Sequence, residues 1–282
     1  MTGSEVHSSL PTFVVIGAMK SGTTTLHAWL DTHPDVCMSP RKELDFFLED
    51  GNWERGVGWY RLRFGSCGAQ LARGESSPNY SKTHLDPAVP ERMHSVIPDA
   101  SLIYVVREPI ARMRSMYRHL AMDGSETRTF ADAVTENADY IATSLYIRHI
   151  GAFLKRYDKK QLLVITTEQL EADPNAALAE IYTQIGVAPV ELSPDAANRN
   201  VTADRRIDSR LSLRLKANPG YWRALNRSWR LRAAHDRLLT RAARVPAANL
   251  PAEVKAELRD DLEKDTQALE VFLGHKLTEW ER

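Results

Sequence analysis

What this sequence lacks narrows it first. Its two cysteines, Cys37 and Cys67, have no C-x-x-C spacing in 282 residues. Neither a metal knuckle nor a disulfide framework is expected, and both thiols read as reduced and inert. No apolar run approaches the ~20 residues that cross a bilayer, and the longest is the neighbourhood of Phe13 to Ile16. Residues 1–11 have neither the basic start nor the apolar core of a secretory signal, and read as a disordered lead. Excess charge of one sign is missing too. Thirty-seven Lys and Arg balance thirty-seven Asp and Glu, so no global field announces a nucleic acid or a membrane as partner. Internal repeats and low-complexity tracts are absent. A chain of this length holds one substantial core, and residues 12–282 are expected to form a single domain.

What is present is an alternation. Strand-like runs occur at Phe13–Ile16, Leu102–Val106 and Leu162–Thr166, with a weaker one near Gln70–Gly74. Helical patterns lie between and after them at Thr23–Asp31, Pro109–Leu120, Phe130–Ala138, Leu145–Tyr157 and Asn175–Ile185. This order predicts an α/β fold, a central parallel sheet flanked by helices in three layers. Such sheets take ligands beyond the carboxyl ends of their strands. Residues 188–208 read as a long loop of the kind that is often functional. Residues 209–245 are strongly basic and helical, with Trp222, Leu225 and Trp229 at helical spacing. Two readings of that stretch stay open: a face for an anionic acceptor or acidic lipid, or a core stripe with solvated arginines. Pro251–Leu273 closes the chain as a helix with Val254, Leu258, Leu262 and Leu269 on one face.

The segment from Thr12 to Leu26, TFVVIGAMKSGTTTL, is a buried strand, a glycine-bounded turn and a helix start. Unpaired N–H groups and partial positive charge at a helix N-terminus make this order a phosphate cradle. In the triphosphate loop G-x-x-x-x-G-K-[ST], lysine follows the second glycine and reaches the β- and γ-phosphates. Here Gly17 and Gly22 keep that span, but Thr23 holds the lysine's place and Lys20 lies inside the loop.

GAMKSGTTTL, HPDV at His33–Val36, KELDFF at Lys42–Phe47, RGESSPNY at Arg73–Tyr80 and VVREPIARMRSMYRH at Val105–His119 together resemble the sulfotransferases that use 3′-phosphoadenosine 5′-phosphosulfate. The closer resemblance is to the heparan-sulfate and bacterial carbohydrate-type branch, over roughly Thr12 to Val187. The resemblance implies a P-loop-like fold, this nucleotide as donor, 3′-phosphoadenosine 5′-phosphate as product, and no metal. Lys20 would stabilise the leaving phosphate, with Ser21, Gly22, Thr23 and Thr24 as donors to the 5′-phosphate. Thr24 also fits ordinary helix capping. Arg107 and Ser115 would clamp the 3′-phosphate, a task suited to a planar guanidinium; the plainer reading pairs Arg107 with Glu108 on the surface. Arg112 and Arg114 read as a solvated helix face. Arg205 and Arg206 loosely resemble the family's late loop over the nucleotide. Relatives in eukaryotes are commonly anchored in the Golgi, so the missing anchor favours a soluble, bacterial, cytoplasmic enzyme.

Glu43 occupies the position of the family's glutamate base, and Phe46 and Phe47 would desolvate its carboxylate. Its plainer reading is an acidic residue in the first turn of a helix. Cytosolic relatives use histidine instead, which keeps His33, His84 and His119 as alternatives, although His33 belongs to a turn that reads as structural. The branch's lysine after the third-block glutamate is replaced by Ser76, so Lys42 or Lys82 would take its part. Glu75 would orient Lys20 or Lys42, or serve as a structural acid. The acceptor, whether sugar, phenol or alcohol, hydroxyl or amine, stays open, and so does the oligomeric state. Two rivals remain: a P-loop kinase of small molecules, and a non-catalytic nucleotide- or glycan-binding module.

Overall fold

A computed structural model of the chain describes residues 10–193, 206–208, 240–242 and 247–280, with isolated positions 215, 218, 221, 231 and 235. Five strands, β1 (Phe13–Gly17), β2 (Val36–Met38), β3 (Ala72–Ser76), β4 (Ser101–Val106) and β5 (Leu162–Thr166), form one parallel sheet in the order β2-β3-β1-β4-β5. β1 lies at its centre, with Val14 opposite Glu75 on one side and Leu102 on the other.

Successive side chains of a strand point to opposite faces. Phe13, Val15, Ile103, Val105 and Ile165 therefore share one face. They pack there against Leu26 and Leu30 of α1 (Thr23–Leu30), Leu170 of α8 (Thr167–Ala172) and Leu178 and Ile181 of α9 (Pro174–Ile185). Val14, Ile16, Leu102, Tyr104 and Val106 share the other face. Their neighbours are Tyr60 of α2 (Gly56–Arg61), Met93 of α3 (Val89–Val96) and Ile150 and Phe153 of α7 (Tyr146–Phe153). Continuous apolar strands buried on both sides give the expected three layers. A third cluster joins α4 (Pro109–Asp123) and α5 (Phe130–Glu136) to α10 (Ala252–Leu273), through Met113, Met116, Phe130, Leu258 and Leu262. The short α6 (Asp139–Ala142) leads into α7.

The C-terminal helix is pinned to the domain by a polar contact that its apolar spacing did not announce. Asp265 falls on the buried stripe of α10 and both its oxygens accept the Ile147 backbone N–H near the start of α7, at 3.2 and 3.3 Å. Burial pushes that carboxyl up to about 6. No helix among the described residues is long and apolar enough to cross a membrane.

Three expectations are corrected. Cys37 and Cys67 are bonded as a disulfide, with Cα atoms 5.7 Å apart. The two positions are distant in sequence, but β2 pairs with β3, Val36 opposite Ala72, and this brings Cys37 to the segment that runs into β3. The disordered lead does not reach residue 11: Leu10 is buried and its carbonyl accepts from Arg73 Nε at 3.1 Å, which leaves residues 1–9 outside the described ones. Thr240–Ala242, expected within a helical stretch, forms strand β7 and pairs antiparallel with β6 (Arg206–Asp208), which satisfies backbone groups of both.

Candidate active site

β1 ends at Gly17, a position where nothing larger fits. A Cβ at that position would lie 2.2 Å from Ser81 Oγ and 2.8 Å from the Tyr104 ring. The chain then turns through Ala18 to Ser21 and enters α1 at Gly22, which has φ 85°. The turn is tied to the sheet at several points. Ala18 N–H donates to the Val105 carbonyl at 2.5 Å, and the Thr167 hydroxyl lies 3.0 Å from both the Ser21 and the Val106 carbonyls. Lys20 holds φ 73° without being glycine. Residues held in this region cost on the order of 1 kcal/mol, persist where their surroundings impose them, and cluster at functional sites.

Arg107, one residue past β4, meets this turn directly: its Nη1 lies 3.5 Å from the Lys20 carbonyl. Tyr146 fixes the Arg107 backbone, donating to its carbonyl at 2.6 Å and accepting from its N–H at 3.3 Å. The surface pairing with Glu108 does not form. Glu108 instead caps α4, accepting from Ile110 N–H at 2.9 Å and Ala111 N–H at 2.5 Å. Ser115 is half-buried on the same helix. Ser21 is fully buried, and its hydroxyl has no protein partner among the described residues; the same holds for the buried Nε of Arg107. Buried polar groups are nearly always paired. Two orphaned groups flanking one glycine-capped helix start therefore fit a ligand carrying two anionic groups.

The second part of the site is residues 41–47, which form no helix. Glu43 and Asp45 have φ of 60° and 46°. The Glu43 side chain is 53 % exposed, and its Oε1 lies 2.6 Å from Lys42 Nζ. Phe46 and Phe47 do not desolvate it: both rings are fully buried, and Phe46 stacks on Tyr60 at 4.3 Å. Hydrophobic burial takes those rings beneath the segment and leaves the carboxylate on top. Ser76, standing where the branch has lysine, lies 3.1 Å from His27 Nδ1, and its carbonyl accepts from Glu43 N–H at 2.9 Å. Burial lowers the His27 pKa.

The remaining candidates go elsewhere. Glu75 contacts neither Lys20 nor Lys42 in a hydrogen bond; it is fully buried and accepts from Tyr60, Ser77 and Tyr80. His33 ties two turns together, 2.8 Å from the Ala188 carbonyl, and His84 pairs with Asp139 at 2.8 Å. Lys82 also goes to Asp139, at 3.2 Å. Burial would raise the Asp139 carboxyl, but His84 and Lys82 hold it well below the usual carboxylate range. The solvated reading of Arg112 is overturned. Its guanidinium is fully buried, donating to Ser144 Oγ and the Tyr140 carbonyl, because α4 is covered by α6 and the residues around it. Arg114 reaches the Ala248 carbonyl at 3.1 Å. Arg205, Trp222 and Trp229 lie outside the described residues, and Arg206 is described only as part of β6. Sequence reasoning missed Thr167, His27 and the partners of Glu75. Only Thr167 had a signal, the T-x-x-Q capping box at Thr166 to Gln169 that opens α8 just after β5.

The chain resembles known proteins in sequence and in fold. Human heparan sulfate glucosamine 3-O-sulfotransferase 3A1 is 31% identical over 193 residues, covering 65% of this chain and 46% of that protein. Mouse bifunctional heparan sulfate N-deacetylase/N-sulfotransferase 4 is 31% identical over 202 residues, covering 64% of this chain and 23% of that protein. The chain thus spans about half or less of the length of the curated relatives it matches. A sulfotransferase crystal structure from Alicyclobacillus acidocaldarius shares the fold, with a TM-score of 0.70, 22% identity, and coverage of 96% of this chain and 99% of that one. The family model for the sulfotransferase domain matches residues 10–204, well over half of the sequence, and the chain belongs to that family.

Proposed function

We propose that the protein transfers a sulfuryl group from 3′-phosphoadenosine 5′-phosphosulfate to a hydroxyl or amine of a carbohydrate or small natural-product acceptor. One observation carries the reading. The Ser21 hydroxyl and Arg107 Nε, unpartnered among the described residues, flank the turn that bears Lys20, beyond the carboxyl ends of the adjacent strands β1 and β4. The residues fit a bisphosphate nucleotide: Ser21, Gly22, Thr23 and Thr24 for its 5′-phosphate, Arg107 with Ser115 for its 3′-phosphate. The donor supplies an activated sulfuryl group and a phosphate leaving group.

Sulfuryl transfer, like phosphoryl transfer, leaves the protein mainly positioning and charge stabilisation to perform. Lys20 places an ammonium where charge grows on the leaving phosphate. Glu43 takes the proton of the acceptor as it attacks. Lys42, paired with Glu43, supplies the positive charge that Ser76 does not. Relatives named for 3-O- and N-sulfation of heparan chains support glucosamine-type acceptors as the first to test.

Residues 12–282 are taken as one domain, supported by Asp265 on α7 and by Trp280 Nε1, which donates to Glu168 Oε2 at 3.0 Å. Cytoplasmic residence in a bacterium stands as a proposal with a condition: the Cys37–Cys67 bond must persist there against a reducing pool. Labelled sulfuryl transfer from the donor to de-sulfated heparan chains, p-nitrophenol and fractionated alcohols tests the reading. Label in one acceptor class, with the 3′,5′-bisphosphate bound more tightly than ATP with magnesium, is expected. No transfer to any pool, with ATP the tighter ligand, refutes it.

A further inference from the structure

The segment that carries Glu43 has no helix or strand to hold it, yet two of its non-glycine residues keep left-handed φ values. Its backbone N–H groups show what imposes that shape. Asp45 N–H donates to Ser77 Oγ at 3.1 Å, and Phe46 and Phe47 N–H converge on Tyr80 Oη at 2.8 and 3.4 Å. A hydroxyl presents a lone pair to a backbone N–H only when its own proton points elsewhere. Both protons go to the same acceptor: Ser77 Oγ donates to Glu75 Oε2 at 2.7 Å and Tyr80 Oη to Glu75 Oε1 at 3.1 Å. Tyr60 Oη donates to Oε1 as well, at 2.5 Å. Glu75, Tyr60 and Tyr80 are fully buried, so no solvent competes for these protons.

We propose that Glu75 is a positioning residue for the reaction, orienting the Ser77 and Tyr80 hydroxyls so that they fix the backbone of residues 43–47 and thereby the Glu43 carboxylate. The proposal rests on the reading of Glu43 as the base. It predicts a dependence on protonation. Burial raises the Glu75 carboxyl to about 7, against the pull of its three hydroxyl partners. The groups facing it are Tyr60 from α2, Tyr80 and Ser77 from the turn after β3, and Asp45 from the segment itself, whose own carboxyl burial also raises. Ionised, Glu75 accepts from all three hydroxyls. Protonated, it must donate one hydrogen, and a hydroxyl that turns to accept it loses its orientation toward the backbone. The segment should therefore loosen as pH falls through about 7.

Amide hydrogen exchange read by mass spectrometry on a peptide covering residues 41–48 tests this in the full chain, for Glu75→Gln, Tyr80→Phe and the wild type. Losing one oriented hydrogen bond is expected to speed exchange of that peptide by about tenfold, leaving the β1 and β4 peptides unchanged. Turnover should fall by about tenfold, with affinity for 3′,5′-bisphosphoadenosine within about twofold of the wild type. Glu75→Gln should also lose the extra loosening below pH 7 that the wild type shows. Should Glu75→Gln not fold, Tyr80→Phe keeps the ring and the carboxylate and carries the same test. A lower melting temperature with unchanged exchange at residues 41–48 and unchanged turnover would mean a purely structural acid and overturn the proposal. Glu43→Gln separates the two claims: wild-type turnover in that variant ends the base assignment, while the exchange measurement still judges Glu75.

Discussion

Breaking the Cys37–Cys67 bond should lower stability by a calculable amount. The bond closes a loop of sequence separation 30. Restricting that loop in the unfolded chain removes roughly 12 cal/mol/K of entropy, or about 3.6 kcal/mol at room temperature. For 282 residues the unfolding entropy is on the order of 0.6 kcal/mol/K, so the melting temperature should drop by about 6 °C. The effect should also be local. Cys67 N–H bonds to the Phe64 carbonyl, and the Phe64 ring packs on Tyr60 at 5.4 Å, so the bond ties α2 and its tyrosine to the edge strand β2. Strand β1 and the Lys20 turn lie beyond β3 from that edge. Scanning calorimetry of the oxidised protein, the reduced protein and Cys37→Ala/Cys67→Ala should show the same lowered transition in the last two. Affinity for the 3′,5′-bisphosphate should be unchanged in all three. Equal melting of all three forms, or two reactive thiols per native chain without reductant, would refute the reasoning.

Lys20→Ala should reduce turnover by roughly 10²–10³, the scale of one preorganised charge-stabilising donor, and single-turnover transfer kinetics would show it. Gly17→Ala should overpack the strand end against Ser81 and Tyr104, costing about 1–3 kcal/mol and visible as a shift in denaturant midpoint. At Lys20 and Glu43, whose φ values are positive, the glycine variant should be more stable than the alanine variant by about 1 kcal/mol. At the exposed α10 residue Lys255 the order should reverse, by about 0.5–1 kcal/mol, and chemical denaturation of the three pairs would test both signs.

In one half of the site, the strand, turn and helix start proposed to hold the donor were legible as structure because they are local. A strand, a glycine-bounded turn and a helix start occupy fifteen consecutive residues, and the carboxyl end of a parallel strand fixes where such a turn opens. Arg107 needed one further step, that β4 lies beside β1, and this the structure supplies, because apolar runs mark strands without ordering them. The other half depends on closure. Cys37 meets Cys67, Ser76 meets His27 and Glu75 collects three hydroxyls only after β2 and β3 have paired at the sheet edge. None of these pairs has a spacing rule. Strand β2, three residues long, is too short for a period to register. Arg112 misled for a related reason: helix α4 presents it on a face that looks polar in sequence, and α6 buries that face.

This division bears on what can vary in such a site. The phosphates of the proposed donor would need N–H groups, a lysine and a guanidinium in fixed places, so residues meeting them would be constrained by geometry that the sheet itself provides. In the proposed reaction the acceptor meets residues 41–47, a segment without regular structure whose shape is imposed from beneath by Ser77 and Tyr80. Leu44, Phe46 and Phe47 are core, but the side chains of Lys42 and Glu43 can change without disturbing the hydrogen bonds that hold the segment, since those bonds use backbone N–H groups. With Glu43 kept as the proposed base and Asp45 partly buried against Glu75, Lys42 is the place where a change of acceptor costs the fold least. A swap at Lys42 should move acceptor preference while affinity for the bisphosphate stays put, whereas a change at Tyr80 should weaken transfer to every acceptor alike.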